Sequence, residues 1–176
     1  MFTYSHHLSR CLAFAVIFLS TSLLVFGAKE DFEKIARQTL AETHSKFFQE
    51  GNIKGCVALY AGDAKFFVDN KRVASGEKEL LEFYQGLRNT DGIRSIVIDE
   101  FVDLGSDGNS GWAIFNYTKA YDLKHSDPKF LADHKLTGFS TLHVKQYGTA
   151  IFAKIDGQWQ IRTMTVFDPE IWERKK

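Results

Sequence analysis

Few residues in this sequence stand at spacings that could do chemistry. His125, His134 and His143 recur every nine residues, with Asp127 and Asp133 nearby. Imidazoles and carboxylates ligate metals, but a nine-residue step fits no zinc-ligand pair, so surface histidines are expected and no metal site. Cys56 and His44 are the types of a thiol–imidazole pair. Cys56 lies in GCVALY among apolar neighbours, however, with no cation beside it to lower a thiol pKa. No serine sits in a Gly-x-Ser-x-Gly elbow, no glycine loop suits phosphate, and no cofactor is expected. His44 follows Leu40 by four and precedes Phe47 by three, at the border of an apolar helix face. Arg162 shares a strand face with Met164, where a guanidinium could meet a carboxylate ligand or an internal acid.

The elements that must position these residues follow from pattern. Phe32, Ile35, Ala36, Leu40, Phe47 and Phe48 fall on one helical face, predicting a helix over 29–50 that Gly51 ends. A short helix is expected over 53–60, then a strand over 65–69 with 71–74 as its hairpin arm. Ser75 is a candidate cap for a third helix, which buries Leu80, Leu81, Phe83, Tyr84 and Leu87. Beyond Asp91-Gly92 the chain becomes β-branched and aromatic, predicting strands over 93–102 and 112–123. His125 to Gly138 reads as a long polar connection. The clearest local signal is Thr149–Phe167, two alternating runs joined by Asp156-Gly157, the dipeptide of a type I′ hairpin. Alternation puts Trp159, Ile161, Thr163, Thr165 and Phe167 on one face of its second strand and Gln160, Arg162, Met164 and Val166 on the other. Asp168-Pro169 ends that strand, and 171–176 reads as a charged tail. Helices first and long strands after make an α+β domain, with the helices on one face of an antiparallel sheet.

The chain has 176 residues, 44% hydrophobic and 25% charged, as expected of one globular domain. Its 22 basic and 22 acidic residues leave no electrostatic footprint for nucleic acid. Residues 1–27 stand apart. His6, His7 and Arg10 precede the uncharged run Cys11 to Ala28, and Val25 and Gly27 occupy the small-residue positions of a signal-peptide exit. A retained signal anchor is the other reading, at the lower length limit for a membrane span. Cleavage leaves a secreted, extracellular domain over 28–170; retention leaves it luminal and membrane-anchored. Cleavage also removes Cys11, so Cys56 has no intrachain partner and a buried thiol is expected. Asn116-Tyr117-Thr118 is the one N-glycosylation sequon, of consequence if Asn116 is exposed.

Three stretches, in this order, resemble the nuclear transport factor 2-like superfamily, most closely its DUF4440 or SnoaL-like branch. Phe48 to Asn52 with Val57 to Ala64 resembles the family's helix, glycine turn, short helix and aspartate-alanine strand start. Gly76 to Tyr84 resembles its glycine-led third helix, and Lys154 to Ile161 its closing hairpin with Gly-x-Trp. The resemblance covers about residues 29–168, departing at His125 to Gly138. It implies an α+β cone, three N-terminal helices packed on a strongly curved, mostly antiparallel sheet around an apolar pocket. The superfamily includes ketosteroid isomerase, scytalone dehydratase, polyketide cyclases and non-catalytic binding or oligomerisation domains, so fold does not choose function.

Aligned without gaps from Gly51 to Asp69, the isomerase base position falls at Val68. Asp69 is its neighbour and points to the opposite face unless the register slips by one. The tyrosine position on the first helix falls at His44, and its partner on the third helix is retained as Tyr84. No carboxylate matches the isomerase's protonated acid, where Gly148 to Ile151 stand, so that chemistry is not expected. The resemblance turns the Arg162–Met164 face into the cone; an outward Arg162, solvated or at a dimer contact, is the other reading. Three functions follow as expectations. One is a pocket for a small apolar or carboxylate-bearing molecule, lined by His44, Val68, Tyr84, Arg162 and Met164. Another is an isomerase-, dehydratase- or cyclase-type enzyme, with His44 titrating near neutral pH and Tyr84 orienting it. The third is a homodimerisation module working through the aromatic-rich convex face of the sheet.

Overall fold

The computed structural model describes residues 32–167 and 171–175. The N-terminal run read as a leader lies outside them, and among the described residues no helix is long and apolar enough to cross a membrane. Helix α1 spans 32–50, followed by α2 (Ile53–Val57), α3 (Gly76–Asn89) and α4 (Pro128–Asp133). The strands are β1 (Tyr60–Val68), β2 (Lys71–Ser75), β3 (Ile93–Ser106), β4 (Ser110–Asp122), β5 (Thr141–Ile155), β6 (Gln158–Val166) and β7 (Ile171–Lys175). They form one sheet in the order β2-β1-β6-β5-β4-β3, with β7 beside β5. Every pairing is antiparallel except β1 with β6. Register shifts with extra residues on β2, β3 and β6 bend the sheet as bulges do.

In α1 the buried residues are Phe32, Ala36, Leu40, His44 and Phe48, one at every fourth position. A regular α-helix has 3.6 residues per turn, so each step of four overshoots by about 40°, and Phe48 would end roughly 160° round from Phe32. The chain absorbs this in a π turn, Gln38–His44, between α-helical 32–37 and Ser45–Glu50. The wider turn keeps the stripe against the sheet. Side chains serve the carbonyls there: Ser45 Oγ donates to Leu40 O at 3.0 Å, and Cys56 Sγ to His44 O at 3.6 Å. At the other end, Phe32 packs on Phe152 and Trp159, with centroids 5.5 and 4.7 Å away, and over Gly111, where a Cβ would collide with its ring. Burying that ring is worth about 1.5–3 kcal/mol.

The β5–β6 turn has Asp156 at φ 49° and Gly157 at φ 80°, as a type I′ hairpin requires, and Ile155 pairs with Gln158. Simple alternation fails farther along. Ile151 pairs with Thr163 but Phe152 with Ile161, which leaves Arg162 as an extra, bulged residue. Ile161 therefore faces inward before the bulge, Met164 and Val166 after it, and Arg162 is exposed. The expected division of this strand into a Trp159–Ile161 face and an Arg162–Met164 face is corrected accordingly.

Other local expectations change too. The second helix stops at Val57, and Tyr60 already belongs to β1. The Ser75 side chain makes no cap bond; its backbone N–H donates to Glu79 Oε2 at 2.8 Å. A 3₁₀ turn, Leu123–His125, leads into the polar connection, which itself contains α4, whose cap Asp127 accepts from the Lys129 and Phe130 N–H groups. Leu123, Leu136, Leu142 and Val144 give this insertion its own small core. The segment read as a charged tail contains β7, antiparallel to Thr141–Lys145 on the edge of β5 that β6 uses farther along.

Candidate functional site

Between α1, α3 and the concave face of the sheet lies a cavity of about 270 Å³. Leu40, Phe66, Phe83, Ile96, Phe115 and Met164 make most of its wall, with half-buried Val68, Leu87 and Ile98 also in the lining. The size suits a compact ligand, at the small end of known pockets.

One wall is polar. His44 Nε2 lies 2.9 Å from Tyr84 Oη, which lies 2.6 Å from Tyr60 Oη. All three side chains are buried, and His44 and Tyr84 line the cavity. Burial lowers the His44 pKa to about 4, so the imidazole is neutral at physiological pH rather than titrating near it. Burial, reinforced by Tyr60, raises the Tyr84 pKa well above that of an ordinary phenol. The three groups are thus neutral and share protons in one of three orders. Tyr84 donates to His44 while Tyr60 donates to Tyr84; or His44 donates to Tyr84 while Tyr84 donates to Tyr60; or His44 and Tyr60 both donate to Tyr84, whose own O–H is then left over. In the first two the Tyr84 oxygen has a lone pair to offer a ligand, and in the third its hydroxyl has a proton to offer. This wall can therefore accept or donate one hydrogen bond. Cys56, which donates to the His44 carbonyl, is held inert by burial, with its thiol pushed up to about 12.

A second polar group comes from β4, β5 and the turn before β3. Asp91, Tyr117, Lys119 and Gln146 all line the cavity. Tyr117 Oη donates to Gln146 Oε1 at 3.1 Å, and Gln146 Nε2 donates to Phe167 O at 2.8 Å, which fixes the amide. The backbone around Asp91 is stitched to the insertion. Ser126 Oγ donates to Asp91 O at 2.7 Å, Asp127 N–H to Thr90 O at 2.8 Å and Asp122 N–H to Gly92 O at 2.9 Å. Burial raises the Asp91 pKa against the opposing pull of Lys119 and His134. A carboxylate in an apolar cavity, its charge incompletely compensated, is a hydrogen-bond acceptor or a base.

Of the residues singled out in the sequence, His44, Val68, Tyr84 and Met164 line the cavity and Arg162 does not. Thrown outward by the bulge, Arg162 pairs with Asp63 at 3.0 Å, both side chains more than half exposed. The cation on the cavity wall is Lys119 instead. Asp69 also lies outside the lining, in the β1–β2 turn at φ 50°. His125 Nδ1 meets Asp122 Oδ2 at 2.7 Å, and His134 packs on Phe130. Among the described residues no three metal-ligating side chains gather. Tyr60, Asp91, Tyr117, Lys119 and Gln146 were not among the site residues expected from the sequence. Alternation along β4 and β5 carried a signal for Tyr117, Lys119 and Gln146, each two residues beyond a buried apolar neighbour.

No family model and no curated protein matches this sequence. Solved structures do. A nuclear transport factor 2-like superfamily protein from Salmonella enterica serovar Typhimurium superposes with a TM-score of 0.63 at 14% identity, covering 81% of this chain and 94% of that one. A putative calcium/calmodulin dependent protein kinase II association domain from Xanthomonas campestris gives 0.57 at 19%, over 78% and 88%. A ketosteroid isomerase-like protein from Erwinia carotovora atroseptica gives 0.52 at 16%, over 73% and 89%. The likeness lies in the backbone far more than in the sequence, and with the cone, its curved mixed sheet and its cavity it assigns the chain the nuclear transport factor 2-like fold.

Proposed function

We propose that the cavity binds a small, mainly apolar molecule carrying one hydrogen-bond donor, such as a hydroxyl group. The supporting observation is the composition of the wall: apolar side chains broken by the Asp91 carboxylate and the Tyr84 hydroxyl, with Lys119 also in the lining. A hydroxyl can donate to Asp91 and accept from Lys119. A carboxylate has Lys119 rather than Arg162 to receive it, and must sit near Asp91. The test is calorimetric titration with an alcohol, a carboxylic acid and a hydrocarbon of equal chain length, on wild type and Met164→Trp. The alcohol is expected to bind tightest, and the indole, by filling the cavity, to weaken binding by at least about tenfold, or 1.4 kcal/mol. Binding that survives in Met164→Trp, or none in wild type, overturns the reading.

A second reading is proton-transfer catalysis of the isomerase, dehydratase or cyclase type. What favours it is Asp91, a cavity-lining carboxylate whose pKa burial raises, rather than the neutral His44. In that case Asp91→Asn abolishes turnover of a bound substrate while binding persists; full turnover in the variant removes the reading.

A further inference from the structure

We propose that Asn116 carries an N-linked glycan on the outer face of the sheet, with Tyr147 as the platform for its first sugar. The sequon Asn116-Tyr117-Thr118 lies in the middle of β4, and strand alternation settles its direction. Phe115 and Tyr117 are buried in the core, whereas Asn116 and Thr118 point to the opposite, half-exposed face. The acceptor amide and the hydroxyl of the sequon thus share the outer face. Neither belongs to the core: Asn116 Nδ2 reaches Glu100 Oε2 at 3.5 Å, and Thr118 Oγ1 donates to Asp99 Oδ2 at 2.7 Å, both acidic partners being exposed. A sugar on Asn116 Nδ2 therefore displaces no packed group.

The same ladder supplies the second observation. Tyr147 stands directly across from Asn116 on β5, 37% exposed, with its ring 5.3 Å from that of Phe167. Opposed residues have Cβ atoms about 4.5–5.5 Å apart, within reach of a pyranose linked to the amide. The electron-rich face of an aromatic ring attracts the partly positive C–H face of a sugar, which would cover apolar surface now in water. Four residues along the same ladder, beyond the Ile114–Thr149 pair, Trp112 and Ile151 are also opposed and exposed. A glycan rooted at Asn116 stands over this strip, so glycosylation and homodimerisation through the outer sheet face exclude one another.

Modification requires entry into the secretory route, which residues 1–27 are proposed to direct; the experiment supplies entry separately. The full chain is expressed in human cells behind a heterologous secretion signal, and secreted and retained material are both examined. Wild type is expected to lose the mass of one glycan on treatment with peptide-N-glycosidase F, with Asn116 converted to aspartate. N116Q and T118A are expected to show no such loss. Imported protein with an unmodified Asn116, or a loss that persists in N116Q, overturns the proposal. For the platform, glycosylated wild type should melt about 2–4 °C above its enzymatically deglycosylated form. That gap should close in Y147A; an unchanged gap removes Tyr147 from the site.

Discussion

Acidification from pH 7.5 to 4 is expected to destabilise the domain by more than its exposed carboxylates explain, and the excess should trace to one side chain. His44 is 6% exposed, packed among the rings of Tyr60 and Tyr84, and burial lowers its pKa from 6.5 to about 4. The folded pKa lies below the unfolded one. The contribution of the neutral imidazole is therefore complete above pH 6.5 and is lost as the pH falls through 4, where the unfolded chain holds a proton that the folded one refuses. Each unit of separation is worth 1.36 kcal/mol, so the window is worth about 3 kcal/mol. At roughly 2–4 °C per kcal/mol for a domain of this size, that is about 6–12 °C in melting temperature. Urea unfolding of wild type and His44→Gln over this pH range measures it, since the amide can still bond Tyr84 but does not titrate. Wild type should lose about 3 kcal/mol more than the variant, while carboxylates common to both cancel. The ring nitrogens of His44 should still report a neutral imidazole at pH 5 by NMR. Parallel stability curves, or a His44 that titrates at its ordinary value in the folded protein, would refute the desolvated histidine.

Two more outcomes follow from the same geometry. Tyr84→Phe removes the hydroxyl between His44 and Tyr60 and leaves two buried polar groups short of a partner, for a loss of about 2–4 kcal/mol by denaturant unfolding. Tyr60→Phe combined with it should cost less than the sum of the two single changes, by at least about 0.5 kcal/mol; strict additivity would contradict a shared network. Arg162→Ala breaks only the exposed pair with Asp63 and should change stability by about 0–1 kcal/mol. It should leave ligand affinity within about twofold, and a large loss of affinity would place Arg162 back at the pocket.

Where the sequence was legible, a short-range rule decided the geometry. Asp156-Gly157 can take positive φ at both positions, and the hairpin formed there. The His44–Tyr84 juxtaposition was readable from the family resemblance, although the protonation state of His44 was not, because desolvation depends on what closes over it. The bulge at Arg162 defeated simple alternation, yet the strand carried a hint. Ile161 and Met164 are both buried and stand three apart, which a regular strand cannot place on one face. The π turn in α1 had no such hint: Phe32, Ile35, Ala36, Leu40, Phe47 and Phe48 also fit one face of a regular helix, and only the structure shows the buried stripe at every fourth position. Asp91 had no such signal. Its place depends on a hydrogen bond from Ser126, 35 residues away, in a segment whose sequence reads as a plain loop.

Counted as chain length, α1 holds one residue more than its buried face needs. A regular helix would bring the same apolar side chains to the sheet with steps of four, four, three and four. The surplus falls in the wide turn that ends at His44. It divides the helix mechanically: the half carrying Phe32 is clamped by Phe152 and Trp159, and the half carrying His44 and Phe48 by Tyr84. A joint of this kind takes up rotation and slip. Changes in what the first half packs against are expected to be taken up at the turn before they reach the cavity.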